Sequence, residues 1–135
     1  MKNALRIAMA LVAGLVIGSI VNIGFIVLGG KLVSLPAGAD ATTTEGLKAS
    51  LHLLQPKNFI FPFLAHAIGS LTGAFLASWL APTRGMTMAF IIGGLFFVGG
   101  IISCFQIPAP KWFMVCDLGF AYFPMAFIGF KLTPK

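Results

Sequence analysis

Residues 59–81 read FIFPFLAHAIGSLTGAFLASWLA. No Asp, Glu, Lys or Arg interrupts the stretch, and at about 1.5 Å of rise per residue a helix of this length crosses a hydrocarbon core of about 30 Å. A helix of a water-soluble domain would carry a charged face opposite its apolar stripe. Here the apolar character runs all the way round, and what varies around the helix is size. Ala65, Gly69, Gly73 and Ala77 recur every four residues and make a smooth ridge that another helix can approach closely. Lipid supplies little hydrophobic drive between helices, so such a ridge is where association by close van der Waals contact is expected.

Three more runs of the same kind flank it, at about residues 7–28, 86–107 and 112–132. Pro82 and Arg84 close the second span, and Pro108 and Pro110 close the third, because proline has no N–H to donate and clashes with the preceding turn. Trp79 and Trp112 fall near span ends, where an amphipathic ring favours the headgroup level. Gly14 and Gly18 form a shorter ridge in the first span, and Gly93-Gly94 and Gly99-Gly100 lie in the third. The expected fold is an all-α membrane protein: a compact bundle of four transmembrane helices forming one domain over residues 1–135. An inverted repeat of spans one-two and three-four is not supported, since the connections differ greatly in length.

Composition agrees. Of 135 residues, 59% are hydrophobic and 9% charged, and the mean hydropathy is +1.01, far from that of a soluble domain. A net charge of +6 raises the question of nucleic acid, but the basic residues stand singly at segment ends and form no patch, so no nucleic-acid partner is expected. They read instead as topology signals. Lys2, Arg6, Arg84, Lys131 and Lys135 gather on one side with no acid, while Lys31, Lys48, Lys57 and Lys111 on the other are offset by Asp40 and Glu45. The positive-inside rule then places both termini in the cytoplasm. Lys2 and Arg6 with Ala37-Gly38-Ala39 imitate a signal peptide and its cleavage site. The apolar run is too long for a signal sequence, however, and Lys31 intervenes.

The connection from Lys31 to Asn58 has structure of its own. Thr42-x-x-Glu45 matches a capping box, and Leu47, Leu51 and Leu54 recur at helical spacing, which predicts a short amphipathic helix over about 43–54 lying on the outer surface. Gln55 and Pro56 end it.

Ionisable residues within spans are costly, about 2.5–3.5 kcal/mol at the bilayer centre on insertion scales, so His66 and Asp117 need a reason to be there. Asp117 lies about one and a half turns below Trp112 and His66 about two turns below Asn58, with Asn22 at a similar depth in the first span. His66 shares its helix face with Gly69, Ser70 and Gly73, and Asn22 shares its own with Gly18 and Ser19. Asp117 projects with Ala121 and Pro124, and Pro124 is placed to kink the fourth span. Asn22, His66, Ser70 and Asp117 are therefore expected to line one polar cavity beneath the outer surface. With the surface helix as a lid, Glu45 and His52 would join His66 and Asp117 in a carboxylate and imidazole set suited to zinc or another divalent metal, although the spacing matches no metal motif.

Each residue also has a plainer reading. Glu45 completes the capping box and pairs with Lys48, and His52 is an exposed headgroup-level histidine. Asp117 is hydrated or paired with Lys111 or Lys57, and His66 is a neutral histidine bonded to Ser70 or a neighbouring helix. Asn22 is an interhelical hydrogen-bonding residue. Cys104 and Cys116 lack the spacing of a redox pair or zinc site. Apolar packing is their default, with a disulfide across the short outer loop as the alternative.

The stretches GADATTTEGLKASLHLL (Gly38–Leu54), KNFIFPFLAHAIGSLTGAF (Lys57–Phe75) and FMVCDLGFAYFPMAF (Phe113–Phe127) together resemble a group of small bacterial four-span membrane proteins. The resemblance covers most of the chain. It implies a bacterial inner-membrane setting and supplies no activity, substrate or site residue to carry over.

Three functions compete at this level. Small size, glycine ridges and the lack of a catalytic motif favour a non-catalytic homo-oligomer or an accessory subunit of a membrane complex. A polar cavity around Asn22, His66 and Asp117 would instead serve a small transporter or channel for an ion or small solute, which in so short a chain requires an oligomer. A membrane-embedded, metal-dependent enzyme acting on lipid ranks last, for want of a His-Glu-x-x-His or Ser-His-Asp pattern. The orientation is directly testable by fusion reporters in bacteria. Green fluorescent protein at the C-terminus is expected to fluoresce and alkaline phosphatase after Ala41 to be active; the inverse pattern would reverse the assignment.

Overall fold

A computed structural model describes residues 1–134; Lys135, one of the topology charges, lies outside the described residues. The chain is all-helical, in the order α1 (Lys2–Leu32), α2 (Thr44–Ser50), a 3-10 turn (Leu51–Leu53), a second 3-10 turn (Pro56–Phe59), α3 (Ile60–Leu80), α4 (Gly85–Gln106), α5 (Lys111–Phe120) and α6 (Phe123–Lys131). Four segments are long and apolar enough to cross a membrane: Lys2–Leu32, Pro56–Leu80, Gly85–Gln106 and Lys111–Lys131. The protein is a multi-pass membrane protein with four spans, as the apolar runs predict.

Two spans differ in detail from expectation. α1 has 31 residues, about 46 Å at 1.5 Å each, so it overruns a hydrocarbon core of about 30 Å at both ends or tilts within it. The fourth span is two helices, broken at Ala121-Tyr122 just ahead of Pro124.

α3 is the central element. Its ridge of small residues faces α1, where backbone meets backbone: a Cβ built on Gly14 would stand 2.5 Å from the Gly73 carbonyl oxygen and 2.9 Å from the Ala77 methyl. One on Gly18 would stand 2.7 Å from the Gly69 oxygen. The two glycine ridges read from the sequence therefore meet each other. Another side of α3 receives α6 in the same way, since a Cβ on Gly129 would lie 2.5 Å from the Leu71 oxygen. α4 closes the bundle with Met88, Ala89 and Ile92 against Ala74, Ala77 and Ala126. α1 otherwise turns Leu5, Met9, Val12, Val16, Ile20 and Ile23 outward, an apolar face appropriate to lipid.

Short connections set the order of the helices. Between α3 and α4 the chain turns within Ala81–Arg84, with Arg84 in the left-handed region (φ 56°, ψ 40°) and the Ser78 hydroxyl donating to the Gly85 carbonyl at 2.9 Å. Pro62 is accommodated in the first turn of α3, where an N–H has no intrahelical partner to lose.

α2 is shorter than the sequence implies and starts later. Its N-cap is Thr43, whose Oγ1 accepts from the Gly46 N–H at 2.9 Å, so the Thr42/Glu45 capping box does not form. Asp40 governs this end instead. It accepts from the N–H and hydroxyl of Thr42, and its own N–H donates to the buried Ser50 Oγ at 2.8 Å. The Thr42 hydroxyl first, then its N–H, hold the Asp40 carboxyl below the usual carboxylate range. The turn it closes is therefore kept above that range and is lost only as pH falls through the lowered value.

Because Gly14 sits in backbone contact, Gly14→Val forces α1 away from α3, and overpacking of this kind costs about 1–3 kcal/mol. Gly24 on the same helix has nothing within 4 Å of the point where a Cβ would stand, so Gly24→Val is expected to leave thermal unfolding in detergent unchanged. Equal melting of the two variants would show that the ridge contact does not hold α1.

Candidate functional site

The break in the fourth span assembles the polar site. Asp117 lies in the last turn of α5 and Tyr122 is the N-cap of α6, with φ −117° and ψ −80°, outside helical values. In an unbroken helix, residues five apart point about 140° away from each other at about 100° per residue. The break cancels that divergence, and the Tyr122 hydroxyl donates to Asp117 Oδ2 at 2.8 Å. Proline at the second position of α6 explains why the chain breaks there: Pro124 can donate no hydrogen bond back into α5.

His66 completes the cluster from α3. Its Nδ1 lies 2.8 Å from Oδ1 and 2.9 Å from Oδ2 of Asp117, the one ion pair among the described residues. An ionised carboxylate only accepts, so Nδ1 carries the hydrogen and donates to it, leaving Nε2 as the imidazole's free nitrogen. Asp117 is 2% exposed and Tyr122 1%, whereas the His66 side chain retains 21%. The carboxylate is thus sealed, and of its two hydrogen-bonding partners the imidazole is the partly open one.

Packing fixes all three groups. The His66 and Tyr122 rings stack at 5.7 Å, and Phe97 meets the Tyr122 ring edge-on at 5.9 Å. Gly100 of α4 provides the room: a Cβ there would collide with the Tyr122 hydroxyl. Ala67 and Ala121 are buried beside the tyrosine.

Of the residues expected to converge, His66 and Asp117 meet directly. The partner of Asp117 is His66, not Lys57 or Lys111, and the partner of His66 is Asp117, not Ser70. Ser70 is fully buried one turn further along α3, and its Oγ has no hydrogen-bond partner among the described residues. Asn22 stands across from Gly69, with backbone and Cβ in contact range, and makes no hydrogen bond to the cluster.

The four-residue metal set does not assemble. Glu45 and His52 are exposed on and after α2, and among the described residues no three His, Cys, Asp or Glu side chains group around one point. Physically, Asp40, Thr42 and Ser50 tie α2 to its own loop, and its main neighbour is the following 3-10 turn rather than the spans. Glu45 and Lys48 form no ion pair. Cys104 and Cys116 are both free thiols.

Tyr122 is the member that the sequence reading missed. The available signal was that the chain's only tyrosine stands two residues before a mid-span proline and five after the span's only acid. No known protein family, curated protein or solved structure matches this chain.

The cluster makes a specific energetic forecast. His66→Ala strands a buried carboxyl beside the tyrosine and is expected to cost about 1–3 kcal/mol. Adding Asp117→Asn is expected to recover part of that loss, because the charge left without its partner is removed. A double-mutant cycle followed by unfolding in detergent checks this; strictly additive losses would mean that the two side chains are not coupled.

Proposed function

We propose that the protein is a small membrane transport subunit that passes a proton, alone or linked to a small solute or ion, through the His66–Asp117 pair, and that it acts as a homo-oligomer in a bacterial inner membrane with both termini cytoplasmic. The observation that carries this reading is the sealed carboxylate fixed by a partly open imidazole at a helix break. Ionisable pairs within spans and broken transmembrane helices are the two features by which membrane proteins build proton and ion relays.

The chemistry follows from the hydrogen bonding. Asp117 orients the ring so that a proton is gained or lost at Nε2, and the pair alternates between imidazolium-carboxylate, net neutral, and imidazole-carboxylate, net negative. Tyr122 stabilises the carboxylate in both states. Ser70, about 6 Å further along α3 by helical rise, offers an unspent hydroxyl as the next station for a proton or a water molecule. One tightly packed four-span chain leaves little material for a wide pore, which is why the reading includes an oligomer.

A second reading rests on a specific observation too. Both Asp117 oxygens are already engaged within the chain, which suits a structural lock that fixes the broken span in an assembly subunit with no transport of its own.

Proteoliposomes containing a trapped pH-sensitive dye, with a potassium diffusion potential imposed, separate the two. Wild type is expected to acidify or alkalinise the lumen faster than empty vesicles, with Asp117→Asn and His66→Ala reducing the rate at least about a hundredfold, the low end of what a positioned proton-transfer group contributes. Tyr122→Phe is expected to reduce it less. Flux no faster than in empty vesicles, or unaffected by both variants, would leave the assembly reading.

A further inference from the structure

An apolar groove of about 280 Å³ opens between the N-terminal ends of α3 and α5. Its walls are Phe59, Ile60, Phe63 and Leu64 on one side and Trp112 and Phe113 on the other, with Cys116 deeper in. The volume falls just short of the roughly 300–1,000 Å³ of pockets for drug-sized ligands, which suits part of one hydrocarbon chain. The groove is framed by stiff packing: Phe59 meets Trp112 edge-on at 5.5 Å and Phe113 at 4.9 Å, and Trp112 meets Phe113 at 5.9 Å. Phe59 and Phe113 are buried, while the Trp112 indole is half exposed, as befits a ring at the headgroup level.

The residues that adjoin this lining in the chain, Lys57 next to Pro56 and Lys111 next to Trp112, carry charge of one sign. Lys57 lies in the 3-10 turn that leads into α3, two residues from Phe59, and Lys111 opens α5 beside Trp112. Both are exposed, and among the described residues neither has a carboxylate partner. The nearest acid in the spans, Asp117, is held by His66 and Tyr122. α5 starts after Pro110 without a side-chain cap, so its first N–H groups add positive character at the same place.

We propose that this groove is a binding site for an anionic phospholipid, one acyl chain lying between α3 and α5 and the phosphate held by Lys57 and Lys111. An apolar slot alone would accept any lipid chain. The two unpaired lysines at headgroup depth are what select the head, since each basic residue near an anionic surface contributes separately to its attraction.

The test is native mass spectrometry of the full chain released from nanodiscs containing equal amounts of phosphatidylglycerol and phosphatidylcholine. Retained lipid is expected to favour phosphatidylglycerol by roughly tenfold to thirtyfold, the scale set by two basic residues. The Lys57→Ser, Lys111→Ser double variant is expected to lose the preference while still retaining lipid, and Lys131→Ser at the other end of the bundle to keep it. Cys116→Trp, which fills the groove, is expected to lower total retention with unfolding in detergent unchanged. Equal retention of both lipids by wild type would overturn the proposal, as would a preference that survives in the double lysine variant. Lysine-dependent binding of inorganic phosphate as tight as that of phosphatidylglycerol would also overturn it, since the groove would then be idle.

Discussion

The rest of the structure depends on how closely α1 and α6 can approach α3. In lipid, burying another leucine gains almost nothing, because the hydrocarbon already solvates it. Association must come from dense contact, and backbones must come near enough for small groups to touch. α3 meets that demand on two sides, with Gly69, Gly73 and Ala77 against Gly14 and Gly18, and with Leu71, Ala74 and Phe75 against Gly129. Large side chains are left to face outward, as they do along α1. The bundle is thus ordered by where side chains are missing, and α3 lies at its centre because it lacks them on more than one face.

That tight frame makes the broken fourth span tolerable. Pro124 forfeits a backbone hydrogen bond and the helix gives way at Ala121-Tyr122, a defect that would be costly if it faced lipid. Here Ala121 and Tyr122 are buried against Ala67, Phe97 and Gly100. The same displacement turns the tyrosine hydroxyl onto Asp117, so the break and the buried carboxylate stabilise each other. Asp117 without its two donors would be an unsatisfied charge in hydrocarbon. Tyr122 without Asp117 would be a buried hydroxyl with no acceptor.

The sequence made the spans and the glycine ridges legible because both are local patterns. A run of apolar residues and a repeat of four need no knowledge of partners, and both appear in the structure, with α1 running past its apolar stretch and the fourth span in two pieces. The His66–Asp117 pairing was legible in part, since depth along each span can be counted from its ends. Asn22 reached the same depth but joined a different contact, because depth fixes height in the bundle and not which helix faces which. Tyr122 was hidden because a kink expected at Pro124 does not say how far it turns the preceding residues, and helical spacing alone points the tyrosine away from Asp117. The surface helix was legible in its place in the chain, but its cap was not. Thr42 and Thr43 are equally good caps by type, and the choice between them is made by Asp40 and Ser50, ten residues apart.

The lipid groove and the His66–Asp117 cluster are consequences of one geometry. α3 and α5 begin at the same end of the bundle, and the rings of Phe59, Trp112 and Phe113 meet between their first turns. One to two turns deeper, the aromatic rings give way to His66 and Asp117, whose 2.8 Å contact draws the two helices together. The groove lies beside the upper level, apolar because its walls belong to spans, and Lys57 and Lys111 adjoin those walls in the chain because each stands just before a span. The two helices that wall the groove are thus tied together by a hydrogen bond that none of its own lining residues makes.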